Sequence, residues 1–427
     1  MEKALYLNHL TILNRELMVA LGCTEPIAIA YVAARARQVL AAEPSACVVR
    51  CSGNIIKNVK GVTVPNSGGR KGIDTAAVLG IVGGDPDREL AVLETVTQAH
   101  IDRAAQLLEQ DFCRCELAEG VENLYIDVLL TSADGHSARV EAREYHSNLT
   151  LVEKDGRVLF SKGEPAAGAA EAPAGDKSLL TVRNILAFAD SAAMEDIRPV
   201  IRRQVDCNTA IAREGLSGRY GVQAGRTLME HGGEADLLVR ARAAAAAGSD
   251  ARMSGCPLPV VINSGSGNQG ITVTLPVVEY ARAYGASEEQ LYRALVCANL
   301  ISIHQKKYIG SLSAYCGAVS AACGAAAGVA YLMGEGYDVI CDTITNTIAT
   351  IGGMVCDGAK ASCATKIATA VECALRSLEM AREGRAFQPG EGLVKEDVES
   401  TIQSVGRMGR VGMHGTDVEI LNIMLGN

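Results

Sequence analysis

Residues 161–178 read SKGEPAAGAAEAPAGDKS, a run of Ala, Gly, Pro and Glu without an apolar period, and they divide two regions of unlike pattern. Such a composition has no face to bury, so it reads as a connection. Upstream, LYIDVLLTSA (124–133), SARVEAREYH (137–146), LTLVEKDG (149–156) and RVLFSK (157–162) alternate with period two around Asp134-Gly135 and Asp155-Gly156. That pattern is the signature of antiparallel hairpins. Downstream, from TVRNILAFADSAAMEDIRPVIRRQV (181–205) to the tail, apolar spacing is helical and broken by glycine-rich stretches at 263–270, 352–358 and 405–415.

Further from the divide, Leu5, Leu7, Leu10, Leu13 and Leu17 space a helix over 5–21. The break Gly22-Cys23-Thr24-Glu25-Pro26 precedes a second helix to about Ala41, with Thr24 as its N-cap and Pro26 in its first turn. From Ala46 short β-like runs follow, CVVRC, NIIKNV and GVTVP, before helical periodicity returns over 74–110. The expected fold class is α+β, a mainly helical domain with an inserted smaller α/β domain containing an antiparallel sheet. The expected divisions are 1–42, a helical segment completing the larger domain; 43–165, the α/β domain; 166–178, a linker; and 179–427, the helical domain.

Aromatic residues make up 4% of the chain and Trp is absent, so the core must be filled by small and aliphatic side chains in close helix contacts. A net charge of −9 with no Lys/Arg block argues against nucleic acid as a partner. The start MEKALYLNHL lacks the apolar core of a secretory signal, which makes the cytoplasm the expected location. Gly310–Gly334 carries no charge and is long enough to span a bilayer, yet its Ala, Gly, Ser and Cys side chains gain little from lipid. It reads as a helix buried in protein, and no membrane is expected as a partner.

Fourteen cysteines in a reducing compartment are not a disulfide framework, so each is either a small buried hydrophobe or a ligand. In Gly352-Gly353-Met354-Val355-Cys356-Asp357-Gly358-Ala359-Lys360-Ala361-Ser362-Cys363, two thiols flank a glycine turn. Lys360 supplies charge there and Ser362 can cap the helix that follows, although a loop with incidental cysteines has the same spacing. Tyr315-Cys316-Gly317-Ala318 lies within the uncharged small-residue stretch, where Cys316 and Cys323 share a helix face as ligands or as core. Cys23, ahead of a helix start, reads as a base, a nucleophile, a ligand or an inert thiol. The polar loop Asn263-Ser264-Gly265-Ser266-Gly267-Asn268-Gln269-Gly270 offers donors to an anion but lacks the Lys-Ser/Thr of a P-loop. His304 and His414 read as surface histidines or as site residues.

Together these motifs, with Ser52-Gly53-Asn54 and Asn66-Ser67-Gly68-Gly69, resemble the L-cysteine desulfidases, relatives of the α-chain of iron–sulfur L-serine dehydratases. The resemblance implies a PLP-independent lyase that eliminates sulfide from L-cysteine, with a [4Fe–4S] cluster on Cys316, Cys356 and Cys363 of a cluster-binding catalytic domain, 179–427. The sequence departs from the dehydratases in having Asp-Gly after Cys356, a shorter segment to Cys363, and Gly-Cys-Thr-Glu-Pro at the front. The expected roles are Cys23 as catalytic base with a lysine as its competitor, and Thr24, Asn66, Ser67, Asn263, Ser264, Ser266 and Asn268 around the amino-acid substrate. L-serine dehydration and a non-catalytic iron–sulfur redox sensor are the rival readings, and a homodimer stays open.

Overall fold

The computed structural model describes residues 1–162, 175–233, 235–310 and 312–426. It is mainly helical with one six-stranded mixed sheet, the α+β class the pattern predicts. The first part of the chain gives α1 (Lys3–Glu16), β1 (Val19–Leu21), α2 (Thr24–Leu40), β2 (Pro44–Cys51), α3 (Gly53–Val59), α4 (Ile73–Gly83) and α5 (Gln98–Glu109). The strands β3 (Cys113–Leu117), β4 (Tyr125–Ser132), β5 (Ser137–Arg143), β6 (Leu149–Lys154) and β7 (Arg157–Ser161) follow. The remainder comprises α6 (Val182–Ser191), α7 (Met194–Ser217), α8 (Ala224–Gly232), α9 (Leu237–Met253), β8 (Pro259–Val261) and α10 (Gly267–Ala283). It ends with α11 (Glu288–Ile309), α12 (Gly317–Leu332), α13 (Tyr337–Ile351), α14 (Cys363–Arg382), α15 (Val398–Arg407) and α16 (His414–Leu425).

The sheet order is β3-β2-β4-β5-β6-β7, with β2 and β3 parallel and every other pair antiparallel. Both Asp-Gly turns close hairpins, their glycines at φ 90° and 77°, a conformation that costs glycine nothing. Ile126, Val128, Leu130, Ala138, Val140 and Ala142 are buried, and α2 packs on β4, β5 and β6. The alternate residues Asp127, Arg139, Glu141 and Arg143 form a charged ladder, with Arg139 Nε and Nη2 donating to both Asp127 oxygens at 3.0 and 3.1 Å. One apolar and one charged face is what the period-two pattern encodes.

NIIKNV departs from expectation, because it is α3 and not a strand. Its buried Ile55, Ile56 and Val59 sit at helical spacing, so only the helix puts all three on one face. GVTVP is a loop touched by the bridge Thr63↔Lys71, and Cys113 and Cys115 lie in edge strand β3. The expected division at residue 42 meets a finer one: α1 lies against α6, α7 and α11, while α2 lies on the sheet with α4. Nearly all of α2 is buried, so it needs cover on every side.

β1 pairs antiparallel with β8, Val19 opposite Val261, and the 22–26 turn lies beside the 263–270 loop through Thr24 Oγ1, 3.0 Å from Gly265 O. Of the expected linker, 166–174 lies outside the described residues. Residues 175–178 run into a short turn tied to α1, where Asn8 Nδ2 donates to the Asp176 carbonyl at 3.0 Å. Gly310–Gly334 contributes α12, buried against α10, α11, α13 and α14. Among the described residues no helix is long and apolar enough to cross a membrane.

Candidate active site

Cys316 stands at the start of α12, as its N-cap and not within the helix. A short antiparallel bridge, Tyr315↔Val355, aligns it with the 352–358 loop: Cys316 N donates to Met354 O at 2.9 Å and Cys356 N to Ala314 O at 2.6 Å. The Cys316 and Cys356 thiols lie close enough to interact. That interaction holds Cys356 below the ordinary thiol range, reinforced against burial by Lys57, the Gly358 amide and Lys366. It raises Cys316 well above that range, with burial adding to it. Cys363 opens α14, within electrostatic reach of both. Ser362 stands at its N-cap without a capping hydrogen bond.

Four lysines surround this corner, among them the expected Lys360, whose Nζ lies 2.6 Å from Asp357 Oδ1 and whose charge bears on Cys363. Lys57, 1% exposed, pairs with Asp417, and Lys366 Nζ reaches Asp357 Oδ1 at 2.5 Å. Burial brings Lys306 down to about 8, although Cys356 and Cys316 oppose the shift. Gly358, at φ +95°, brings the loop so close to α3 that a methyl there would lie 2.2 Å from Lys57 O.

Cys363 also packs with Cys23, Val62 and Met253, and this contact joins the cysteine corner to a buried polar cluster around Glu25. Cys23, not Thr24, is the N-cap of α2. Its Sγ donates to Glu25 Oε2 at 3.1 Å, and Asn58 Nδ2 donates to Glu25 Oε1 at 3.1 Å. Burial and the Glu25 charge push the Cys23 thiol well up, so the thiolate expected of a helix start is disfavoured despite the helix dipole. Burial also pushes Glu25 up, but His146, the Cys23 hydrogen bond and Arg252 outweigh it and leave the carboxyl below its ordinary value.

Arg252, in the last turn of α9 and 2% exposed, was not singled out from sequence. Its Nε donates to Gly22 O at 2.9 Å and its Nη1 to Asn268 Oδ1 at 3.2 Å, while Nη2 is buried without a partner. The buried Nε2 of His146, from the β5–β6 turn, and Oε1 of Gln269 are likewise unpartnered. A methyl on Gly265 would come within 3.5 Å of His146 Cε1, and one on Gly317 within 2.5 Å of Gln269 Cδ. The orphaned atoms therefore belong to side chains that line the 263–269 loop and run to the residue beside Cys316.

The other expected residues have varied surroundings. Thr24 Oγ1 lies 3.0 Å from Gly265 O and 3.1 Å from Glu25 Oε2. Asn263 is buried, donating to Asn299 Oδ1 at 2.9 Å and accepting from Ser264 and Ser302. Ser266 is the N-cap of α10 without a side-chain bond to it. Asn66 donates to Leu93 O and Ser67 to Arg70 O, so their side chains hold the 65–72 loop. Cys323 is buried core. His304 is fully buried against Glu399 Oε2 at 2.7 Å, not at the surface.

Thiols, lysines and a buried guanidinium brought together from several elements form a site with the chemistry to meet small polar groups. The profile of the family described as serine dehydratase alpha chain matches residues 87–422, and the chain belongs to that family, which places it among dehydratase-type lyases. A protein of Desulfitobacterium hafniense named UPF0597 is 48% identical over 98% of this chain and 97% of its own length. UPF0597 proteins of Lachnoclostridium phytofermentans and Treponema denticola are 47% and 43% identical, covering 99% and 100% of this chain and 100% and 99% of their own lengths.

Proposed function

We propose that the protein is an iron–sulfur-dependent lyase that eliminates sulfide from L-cysteine, giving pyruvate, ammonium and sulfide. The observation that carries the reading is the meeting of Cys316, Cys356 and Cys363 beside Lys57, Lys306 and Lys366. Among the described residues no three His, Cys, Asp or Glu side chains converge on one ion. A cluster asks something different, since its irons occupy separate corners and each takes its own thiolate. Soft sulfur donors with cations around them fit that anionic group. Cys316, Cys356 and Cys363 would hold it, and when bound it supplies an iron with an open position, a Lewis acid for the departing sulfur.

The chain itself supplies the proton chemistry and the exclusion of water. Burial brings Lys306 to about 8, near the working pH, so it suits removal of the α-proton better than the raised Cys23 thiol does. Cys23 instead donates to Glu25 and keeps that carboxylate in place. Elimination leaves 2-aminoacrylate, which tautomerises and is hydrolysed to pyruvate and ammonium.

The family description favours a second reading, L-serine dehydration at the same site. Anaerobically reconstituted protein assayed in parallel should release sulfide and pyruvate from L-cysteine faster than pyruvate from L-serine. Faster serine turnover would select the second reading, and no product from either would reject both.

A further inference from the structure

We infer that the polar cluster beside the cysteine corner is a clamp for an α-amino-acid zwitterion. The α-carboxylate sits on Arg252 Nη2 and His146 Nε2, and the α-ammonium faces Gln269 Oε1 with Glu25 as its counter-charge. The inference deepens the lyase reading and rests on it only for what happens at the substrate's third substituent.

Three buried polar atoms without partners, Arg252 Nη2, His146 Nε2 and Gln269 Oε1, come from separate elements and gather along one loop. Each is costly to leave unmade, and most costly is the guanidinium edge, a charged donor in a side chain 2% exposed. Its other nitrogens are fixed, Nε on Gly22 O and Nη1 on Asn268 Oδ1, so Nη2 has a set direction. A carboxylate is the group whose geometry and charge answer such a donor.

Net charge selects the zwitterion over a free anion. Glu25 lies within electrostatic reach of both Arg252 and His146 and is held ionised with donors from Cys23 and Asn58. Burial pulls the His146 imidazole down and favours its neutral form, so one guanidinium and one carboxylate leave the site close to neutral, which suits a ligand bearing one charge of each sign and disfavours a dianion. The Gln269 side chain spans from this cluster to Gly317, beside Cys316. A zwitterion held there directs its side chain towards the thiols. Arg252 belongs to the helical unit and His146 to a sheet hairpin, so the carboxylate also ties the two units together.

The test is equilibrium binding to the full chain as isolated, by calorimetry, with L-serine, ethanolamine and 3-hydroxypropionate as probes. L-serine should bind and the two probes lacking one charge should bind at least ~10-fold more weakly. Arg252→Lys should weaken L-serine by about 10- to 100-fold. Because Arg252 also holds the Gly22 turn, His146→Ala provides a second variant, whose ring nitrogen has no partner to lose; it should weaken binding by about 10-fold. Equal binding of ethanolamine or 3-hydroxypropionate, no binding of L-serine, or unchanged affinity in His146→Ala would overturn the clamp. L-serine binding with these losses but no product from any amino acid sinks the lyase reading and supports the clamp. Product release with unchanged KM in His146→Ala does the reverse.

Discussion

Cys23 packs with Cys363, and Cys356 lies within electrostatic reach of the same residue, yet the two thiols are driven in opposite directions. Cys23 has the position a sequence reader associates with an activated thiol, at the N-cap of a helix, yet burial and Glu25 push it up. Cys356 lies in a loop with no helix start of its own, yet Cys316, Lys57 and Lys366 pull it down. The difference teaches that at this site the neighbouring donors and charges, more than the helix dipole, decide which sulfur becomes an anion.

The sharpest way to break that comparison is competitive alkylation of the metal-free chain with iodoacetamide at pH 7, mapped by mass spectrometry. Cys356 should react faster than Cys23 by on the order of 100-fold, since the thiolate is the reacting form. Comparable rates would remove the contrast. Next in size is Lys57→Met, which leaves Asp417 without its buried partner and should destabilise the fold by about 3–5 kcal/mol. It should also slow Cys356 alkylation, and Lys57→Met/Asp417→Leu should recover much of the stability while leaving that slowing in place. Recovery of both together would mean that Lys57 does not act on the sulfur.

At Asp250 burial decides instead, against the backbone donors of Gly225 and Ala224. It is fully buried with Oδ1 unpartnered, and burial raises it to about 6. The folded state therefore holds this proton more tightly than the unfolded chain does. Its contribution to stability is fully present below the ordinary carboxylate range and is lost as pH rises through about 6. Asp250→Asn, which keeps an acceptor for the Gly225 amide, should raise stability at pH 7 by up to about 3 kcal/mol and flatten the pH 4–6 slope. Denaturant melts across that range check it. The smallest effect expected is from Cys23→Ser, which preserves the donor to Glu25. Turnover should stay within about 3-fold and the pH profile should keep its shape, whereas loss of one limb would restore Cys23 as the base.

The hairpin over 124–143 was legible because β4 and β5 alternate between a face covered by α2 and the charged ladder of Asp127, Arg139 and Glu141, whereas β6 and β7 carry no buried face. α3 was not, because six residues with two adjacent isoleucines fit either period until Ile55, Ile56 and Val59 are seen against one core. Of the site, the cysteine corner could be anticipated, since Cys356 and Cys363 flank a glycine turn and Cys316 opens an uncharged stretch. Arg252, Glu25, Lys57 and Lys306 were missed as site residues because a charge is marked as functional by its burial, which one-dimensional pattern hides. Two of them carried a signal in retrospect: Lys57 interrupts the apolar run NIIKNV, and Arg252 closes the small-residue helix AAAAAGSDARM. A lone cation inside an apolar helix either snorkels to solvent or has an anion waiting.

The measurement that bears most directly on the account is anaerobic iron and acid-labile sulfide analysis of reconstituted wild type beside Cys316→Ala, Cys356→Ala and Cys363→Ala. The account predicts about four irons and four sulfides per wild-type chain, with loss of most of both in each variant and no loss in a Cys23→Ser control. Full iron retention in any of the three alanine variants, or none in wild type, would contradict it.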